Sequence, residues 1–381
     1  MLYGISAATV ALLLAAALAA LLRVPALRLG LVERRQRQRR VPLSGGVAVV
    51  LTTCLVAVAG DRSGVAPLGE GIGTLLAAAA GVAVLGLVAD AWRLKARLLV
   101  VGTAVAASFV VPYGDTGAWA AVVAVGWITC VALAFRSLDH SDGVAGTVAV
   151  VTAFGAAACA AAEVLDGLAV LLSVLAAALT GFLMHNWPPA RVALGACGSL
   201  FAGFLLAAAA VTTRAGYDTA EGAGVLFALT AVAAADAVLV VVSRRRAGRP
   251  LLRGGPDHLA HRLRRLGLTP RGAAVSIGVA AFSGVLVGTL AHAGWVGPQA
   301  LWWVAGGVLA VVLPLLRVPV YEASARARGG RRNVRPGPRR ARVYGPRRQP
   351  ESDAPTPESG DRRREGSVSP QVSASLRVRN G

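Results

Sequence analysis

The sequence predicts an all-α, polytopic integral membrane protein, and three observations predict it. Hydrophobic residues are 55% of the 381, and 45 glycines come on top of that. Charged residues are only 15%, against about 25% in an ordinary soluble domain. Second, apolar runs of the length needed to cross a bilayer, about 20 residues with a range near 17–25, recur along the chain. Third, the cations gather in alternate connections between those runs. So much apolar surface with so few charges excludes a soluble globular protein, and the same numbers exclude disorder over most of the chain.

Eleven spans are expected, at roughly 2–22, 43–60, 71–88, 97–113, 117–135, 144–162, 167–184, 192–213, 222–243, 271–291 and 299–320. The first has its cations after it and ten further spans behind it, so it is read as a retained anchor and not as a cleaved signal segment. Between spans, one alternating set of loops (23–42, 89–96, 136–143, 185–191 and 244–270, with Arg97 and Arg271 at its edges) holds 21 Lys and Arg. The opposite set (61–70, 114–116, 163–166, 214–221 and 292–298) holds two, Arg62 and Arg214, beside seven acids. Since cations are retained in the cytosol, the rich set is expected inside, with the N-terminus outside and the C-terminus cytosolic.

Beyond residue 320 the composition changes. Residues 321–381 carry 15 arginines and six acids among Pro, Gly and Ser, the composition of a basic, disordered cytosolic tail held to anionic lipid by charge. Two units are therefore expected, a transmembrane domain over 1–320 and the tail over 321–381. A net charge of +20 by itself suggests nucleic acid, but the charges sit in membrane loops and a tail without interleaved aromatics, which argues against that partner. Cys54, Cys130, Cys159 and Cys197 have no CxxC pair or ligand-like spacing, so neither a zinc site nor a disulfide framework is indicated.

Polar residues close to a membrane are the candidate site, because unpaired charge in hydrocarbon is expensive. Four clusters stand on the cation-rich side. They are Asp90 after the third span, Asp139 and Asp142 within 134–143, Asn186 to Arg191 with Gly195 to Ser199, and Asp257, His258, His261 and Arg262. Asp139 and Asp142, three residues apart, share a face of a helix and are placed to grip a cation. His258 and His261 have the same spacing in a loop rich in arginine, which suits phosphate. Asp236 lies eight residues from the end of its span, about 12 Å deep by helical rise.

Together these clusters resemble the polyprenyl-phosphate N-acetylhexosamine-1-phosphate transferases, the glycosyltransferase 4 family that includes phospho-N-acetylmuramoyl-pentapeptide transferase. The resemblance covers about residues 30–275. It is carried most strongly by Asn186-Trp187-Pro188-Pro189-Ala190-Arg191 through Gly198-Ser199-Leu200, and by Asp257 through Leu268. It implies transfer of a sugar-1-phosphate from a UDP-sugar to polyprenyl phosphate, release of UMP, a Mg²⁺ requirement, and a place in cell-envelope glycan synthesis at the plasma membrane of a bacterium with the site facing the cytosol. It also implies catalytic roles for Asp90, Asp139, Asp142, His258 and His261, and substrate contacts for Asn186, Arg191, Asp236, Asp257 and Arg262. A homodimer or a partner transferase is a further possible association.

The chain departs from the family pattern at definite positions. Ala89 precedes Asp90 where the family has paired aspartates. Leu133 and Arg136 stand where two asparagines are expected, Ala260 interrupts the histidine motif, and Ala196 occupies the family's metal-ligand position. That leaves Asp139 and Asp142 as the remaining candidates for the metal, with Arg136 as a possible substitute for its charge. Two expectations follow: an active transferase, or a catalytically degraded pseudo-transferase that binds lipid phosphate or a partner enzyme and regulates envelope synthesis.

Overall fold

The computed structural model describes residues 2–35, 39–69, 71–92, 94–250, 255 and 257–320. The tail from 321 onward, expected above to be a separate disordered unit, lies outside the described residues. The chain forms α1 (Leu2–Leu21), α2 (Arg23–Arg28), a hairpin of β1 (Val32–Arg35) and β2 (Arg39–Pro42), α3 (Ser44–Arg62), α4 (Ile72–Trp92), α5 (Ala96–Ser108) and α6 (Tyr113–Thr116). It continues with α7 (Ala118–Leu138), α8 (Val144–Ala162), α9 (Asp166–Asn186), α10 (Gly195–Thr213), α11 (Thr219–Leu229), α12 (Ala231–Arg246), α13 (Leu259–Arg265), α14 (Pro270–His292) and α15 (Gln299–Leu316).

The protein is a helical, multi-pass membrane protein. Nine helical spans among the described residues are long and apolar enough to cross a bilayer, and α11 with α12 makes a tenth if that bent pair is one span. The strong helix formers Leu and Ala dominate these runs, and local signals fix the ends. The Asp218 carboxylate accepts from the amides of Ala220 and Glu221 to start α11. Thr269 caps α14 through Gly272, with Pro270 at its first position, where a missing N–H costs nothing.

Two of the eleven expected spans differ from the simple picture. The run at 97–113 yields α5, only 13 residues, which is about 20 Å at 1.5 Å per residue and short of a ~30 Å hydrocarbon core. Pro112, lacking an N–H, stands where continuation would be needed. The run at 222–243 is broken at Thr230, where α11 and α12 meet at 82°. The Thr152 hydroxyl on α8 donates to the Leu229 carbonyl at this break, 3.2 Å, supplying a partner at a point where the regular helical ladder is interrupted. The β1–β2 hairpin, paired from Val32↔Pro42 to Arg35↔Arg39, was not expected from the apolar pattern at all.

At the centre stands α10, every residue of which is buried except Thr212. It packs against α3, α4, α7 and α8. Within lipid, helices gain little from hiding apolar surface, so association depends on close backbone contact at small residues. A β-carbon on Gly46 of α3 would stand 2.1 Å from the Leu194 carbonyl oxygen, and one on Gly198 would stand 2.4 Å from the Gly46 Cα. On α4, a β-carbon at Gly86 would meet the Ala196 oxygen at 2.5 Å. These glycines bring α3 and α4 against the first turn of α10, which is where the site lies. The periphery faces lipid: on α15, Trp302 and Trp303 are 79% and 83% exposed, a cost in water but not in a bilayer.

Direction follows from contacts. Asp90, near the end of α4, and Asp139, just after α7, both bond to the first turn of α10. The helices α4 and α7 therefore end on the same side of the bundle, so the chain from 92 to 118, containing the short α5, must return across it.

Candidate functional site

The first turn of α10 is the core of the site. A helix begins with amides that have no partner inside it, and here two carboxylates supply the partners. Asp90 Oδ1 accepts from the Ala196 amide at 3.1 Å and its Oδ2 from Cys197 at 3.2 Å. Asp139, 6% exposed, accepts from the Gly195 amide at 2.8 Å. Gly195 has φ +68°, and a β-carbon there would sit 2.6 Å from Asp90 Oδ2. Glycine is required on both counts.

Asp142 and Asn186 hold the neighbouring loop. The Ala190 amide donates to Asp142 Oδ2 at 3.0 Å. The Asn186 side chain accepts from the Gly143 amide at 2.9 Å and donates to the Val192 carbonyl at 2.7 Å. The Pro188–Pro189 bond is cis, and Arg271 Nε donates to the Pro188 carbonyl at 3.0 Å. Arg191 is tied by its backbone amide to the His185 carbonyl, 2.8 Å, while its side chain is exposed.

A second group, made of imidazoles, adjoins these carboxylates. Asp236, fully buried, lies six residues beyond the break at Thr230. Its Oδ1 accepts from the Leu259 amide at 2.7 Å, starting α13, and its Oδ2 lies 3.0 Å from His258 Nδ1. The Ser137 hydroxyl donates to the same oxygen at 3.1 Å and is 3.3 Å from His258 Nδ1. His140 stacks on His258 with ring centroids 4.5 Å apart, and His261 follows at 6.3 Å from His258. His140 Nδ1 faces the Ser137 carbonyl at 2.7 Å; a carbonyl only accepts, so that nitrogen carries the proton.

Burial keeps two of these rings neutral. His261 is pushed down from 6.5 to about 4, first by desolvation, with the neighbouring imidazoles and the charge of Arg264 acting the same way. His140 is lowered by burial and by His258, with the Ser137 carbonyl, Glu33 and Asp236 opposing.

The sequence-predicted residues therefore divide. Asp90, Asp139, Asp142 and Asn186 gather around the first turn of α10 and its preceding loop. Asp236, His258 and His261 gather around α13. The turn 137–142 contributes to both groups and joins them. Asp257 and Arg262 form a buried brace instead: Arg244 makes two bonds to the Asp257 carboxylate, at 2.6 and 3.0 Å. The Arg262 guanidinium, 1% exposed, donates to Asp257 O, Leu315 O, Val318 O and Ser243 Oγ at 2.6–3.1 Å. Ser137 and His140 were missed as individual residues. The available signal was their spacing of three around Asp139, the same one-face spacing that singled out Asp139 with Asp142.

Residues 72–214 match the sequence profile described as Glycosyl transferase family 4, a stretch that contains α4 to α10 and the carboxylate group. A protein of Streptomyces coelicolor that carries a provisional glycosyltransferase designation is 59% identical over all of this chain and 99% of its own. The decaprenyl-phosphate N-acetylglucosaminephosphotransferase of Mycolicibacterium smegmatis is 29% identical over 67% of this chain and 74% of its own. The phospho-N-acetylmuramoyl-pentapeptide-transferase of Desulforamulus reducens is 32% identical over 43% and 46%.

Proposed function

The chain belongs to glycosyl transferase family 4, and from that premise we propose that it moves an N-acetylhexosamine-type sugar-1-phosphate from a UDP-sugar to polyprenyl phosphate, with release of UMP. One observation carries this reading: the ends of α4, α7 and α9, the start of α10, and α13 build one polar cluster at one end of the bundle. An acceptor anchored in the bilayer and a donor dissolved in water meet only at such an end. The substrate class comes from relatives named for decaprenyl phosphate and N-acetylglucosamine phosphate. Four of the cation-rich loops (89–96, 136–143, 185–191 and 244–270) contribute described residues to this cluster, which supports a cytosolic site in the plasma membrane.

The reaction joins two anions, so positive charge must stand near the reacting phosphates. Arg136, in the last turn of α7, is near enough to Asp90 for its charge to act on that carboxylate, and Arg191 is exposed on the adjoining loop. In this reading Arg136 faces the pyrophosphate, Arg191 and Asn186 shape the nucleotide side, and the imidazoles line the acceptor side.

The resemblance implies magnesium, and the donor set at the site bears on it. Asp90, Asp139 and Asp142 each accept main-chain amides, and position 196 carries no donor side chain. The residues present do not fit a resident magnesium ion, and no step is routed through one.

The test is direct. Purified protein is given undecaprenyl phosphate and a panel of UDP-N-acetylhexosamines, and UMP is measured. Release that requires the lipid supports the reading; no release with any donor overturns it in favour of a binding role.

A further inference from the structure

A second polar cluster lies at the opposite end of the bundle, where the far ends of α8, α10 and α14 meet. Glu163 follows α8, Arg214 follows α10, His292 closes α14, and Glu221 stands in the first turn of α11. Arg214 and His292 are both buried. Arg214 Nη1 lies 3.1 Å from His292 Nδ1. A guanidinium only donates, so that ring nitrogen accepts and bears no proton. His292 Nε2 therefore carries the ring's one proton, and it lies 3.2 Å from both the Cys159 carbonyl oxygen and Glu163 Oε1. The imidazole is neutral, held between one donor and two acceptors.

The guanidinium is only partly engaged. Its Nε and Nη2 are buried and have no hydrogen-bond partner among the described residues. These two atoms form one edge of the group, the fork that fits a carboxylate, and buried donors left unpaired are costly. A carboxylate stands just outside bonding range: Glu221 Oε1 is 3.9 Å from Nη2. The guanidinium lies over the Tyr217 ring, 3.8 Å from its centroid, a face along which it can shift while keeping its contact.

We propose that this end of the bundle is a proton-operated latch in which Arg214 exchanges His292 for Glu221. A proton from solvent added at His292 Nδ1 removes the lone pair that holds Arg214. The imidazolium pairs with Glu163, and the released guanidinium closes its Nε–Nη2 edge onto Glu221. Before the proton arrives, Glu163 and Glu221 face one cation between them; afterwards each has its own. The groups facing His292 are Cys159 and Glu163 from α8, Arg214 from the end of α10, Tyr217 from the turn after it, and Glu221 from α11. The Tyr217 hydroxyl donates to Glu163 Oε1 at 2.5 Å, which keeps that carboxylate beside His292 in both states. α11 runs from Glu221 to the break at Thr230, and α12 beyond it carries Asp236, so the latch and the carboxylate end share one bent pair of helices.

A double-mutant cycle tests the exchange. Melting midpoints of the full-length protein in detergent are measured at pH 7.5 and pH 5 for wild type, Arg214→Gln, Glu221→Gln and the double variant. At pH 7.5 the two losses should add. At pH 5 the double variant should lose less than the sum, by at least about 2 °C. With His292→Gln, which accepts from Arg214 but gains no proton, the losses should add at both pH values. Additivity of the unmodified cycle at pH 5, equal coupling at both pH values, or coupling at pH 5 that survives His292→Gln overturns the proposal. Should Arg214→Gln fail to fold, ring ¹⁵N spectra of the histidine-labelled protein decide, with the His292 signals identified by their loss in His292→Gln. Nδ1 without a proton at pH 7.5 and with one at pH 5 supports the latch; the same state at both pH values overturns it.

Discussion

Replacing Asp90 by alanine removes one carboxylate and two hydrogen bonds at once. The amides of Ala196 and Cys197, now 3.1 and 3.2 Å from its oxygens, lose their charged partner in the first turn of the most buried helix. A hydrogen bond to a charged group is worth about 1.5–3 kcal/mol, and a cap about 0.5–2 kcal/mol. The two bonds share one carboxylate, and Asp139 still holds Gly195, so the loss should be about 3 kcal/mol and not the sum of both. At about 2 °C per kcal/mol for a chain of this size, thermal unfolding in detergent should fall by about 6 °C. Asp90→Asn keeps one acceptor without the charge and should lose about half as much. The reasoning is refuted if Asp90→Ala melts with the wild type. It is also refuted if magnesium raises the wild-type midpoint and Asp90→Ala abolishes that rise, since Asp90 would then be a metal ligand and not a helix clamp.

Other perturbations have equally definite outcomes. Chelation of divalent metal should leave the affinity for a UDP-sugar within about twofold by calorimetry; a loss beyond tenfold would restore magnesium to the site. Arg244→Ala strands the buried Asp257 carboxylate and should cost about 3–5 kcal/mol, seen as loss of monodisperse protein on size-exclusion chromatography. Gly46→Val puts side-chain atoms where even a β-carbon would be 2.1 Å from the Leu194 oxygen, and should destabilise by at least about 1–3 kcal/mol, read as a lower melting midpoint. Because His261 titrates near 4 in the folded protein against 6.5 ordinarily, only the unfolded chain gains a proton between those values. Its stabilising contribution is complete above pH 6.5 and declines as pH falls towards 4. In His261→Gln that part of the decline should disappear from a pH series of unfolding midpoints.

Much of this was legible in sequence because membranes enforce simple rules. An apolar run of 20 residues has no alternative to helix in lipid, so nine of the eleven expected runs became helices long enough to cross, 222–243 a bent pair, and 97–113 a shorter helix. What failed was geometry that depends on other helices. The run at 222–243 looks continuous, and neither its break at Thr230 nor the Thr152 hydroxyl from α8 beside it can be read locally. Asp90 was recognisable as a site residue from its place at a helix end, but its engagement with two amides a hundred residues away required the fold. Asp257 and Arg262 were expected, from the resemblance, as substrate contacts; packing against Arg244 and the end of α15 places both in a buried brace. His140 was marked in the sequence only by its spacing of three from Ser137, and its stack on His258 required the fold.

The most direct test of the central claim follows the phosphorus atoms. A UDP-N-acetylhexosamine labelled separately at its α- and β-phosphorus is incubated with the protein and undecaprenyl phosphate, and lipid is extracted from water. The account predicts that β-label moves into the lipid fraction while α-label stays in water as UMP. If the β-label stays in water with every donor, or both labels enter the lipid together, sugar-1-phosphate transfer is not what this site performs.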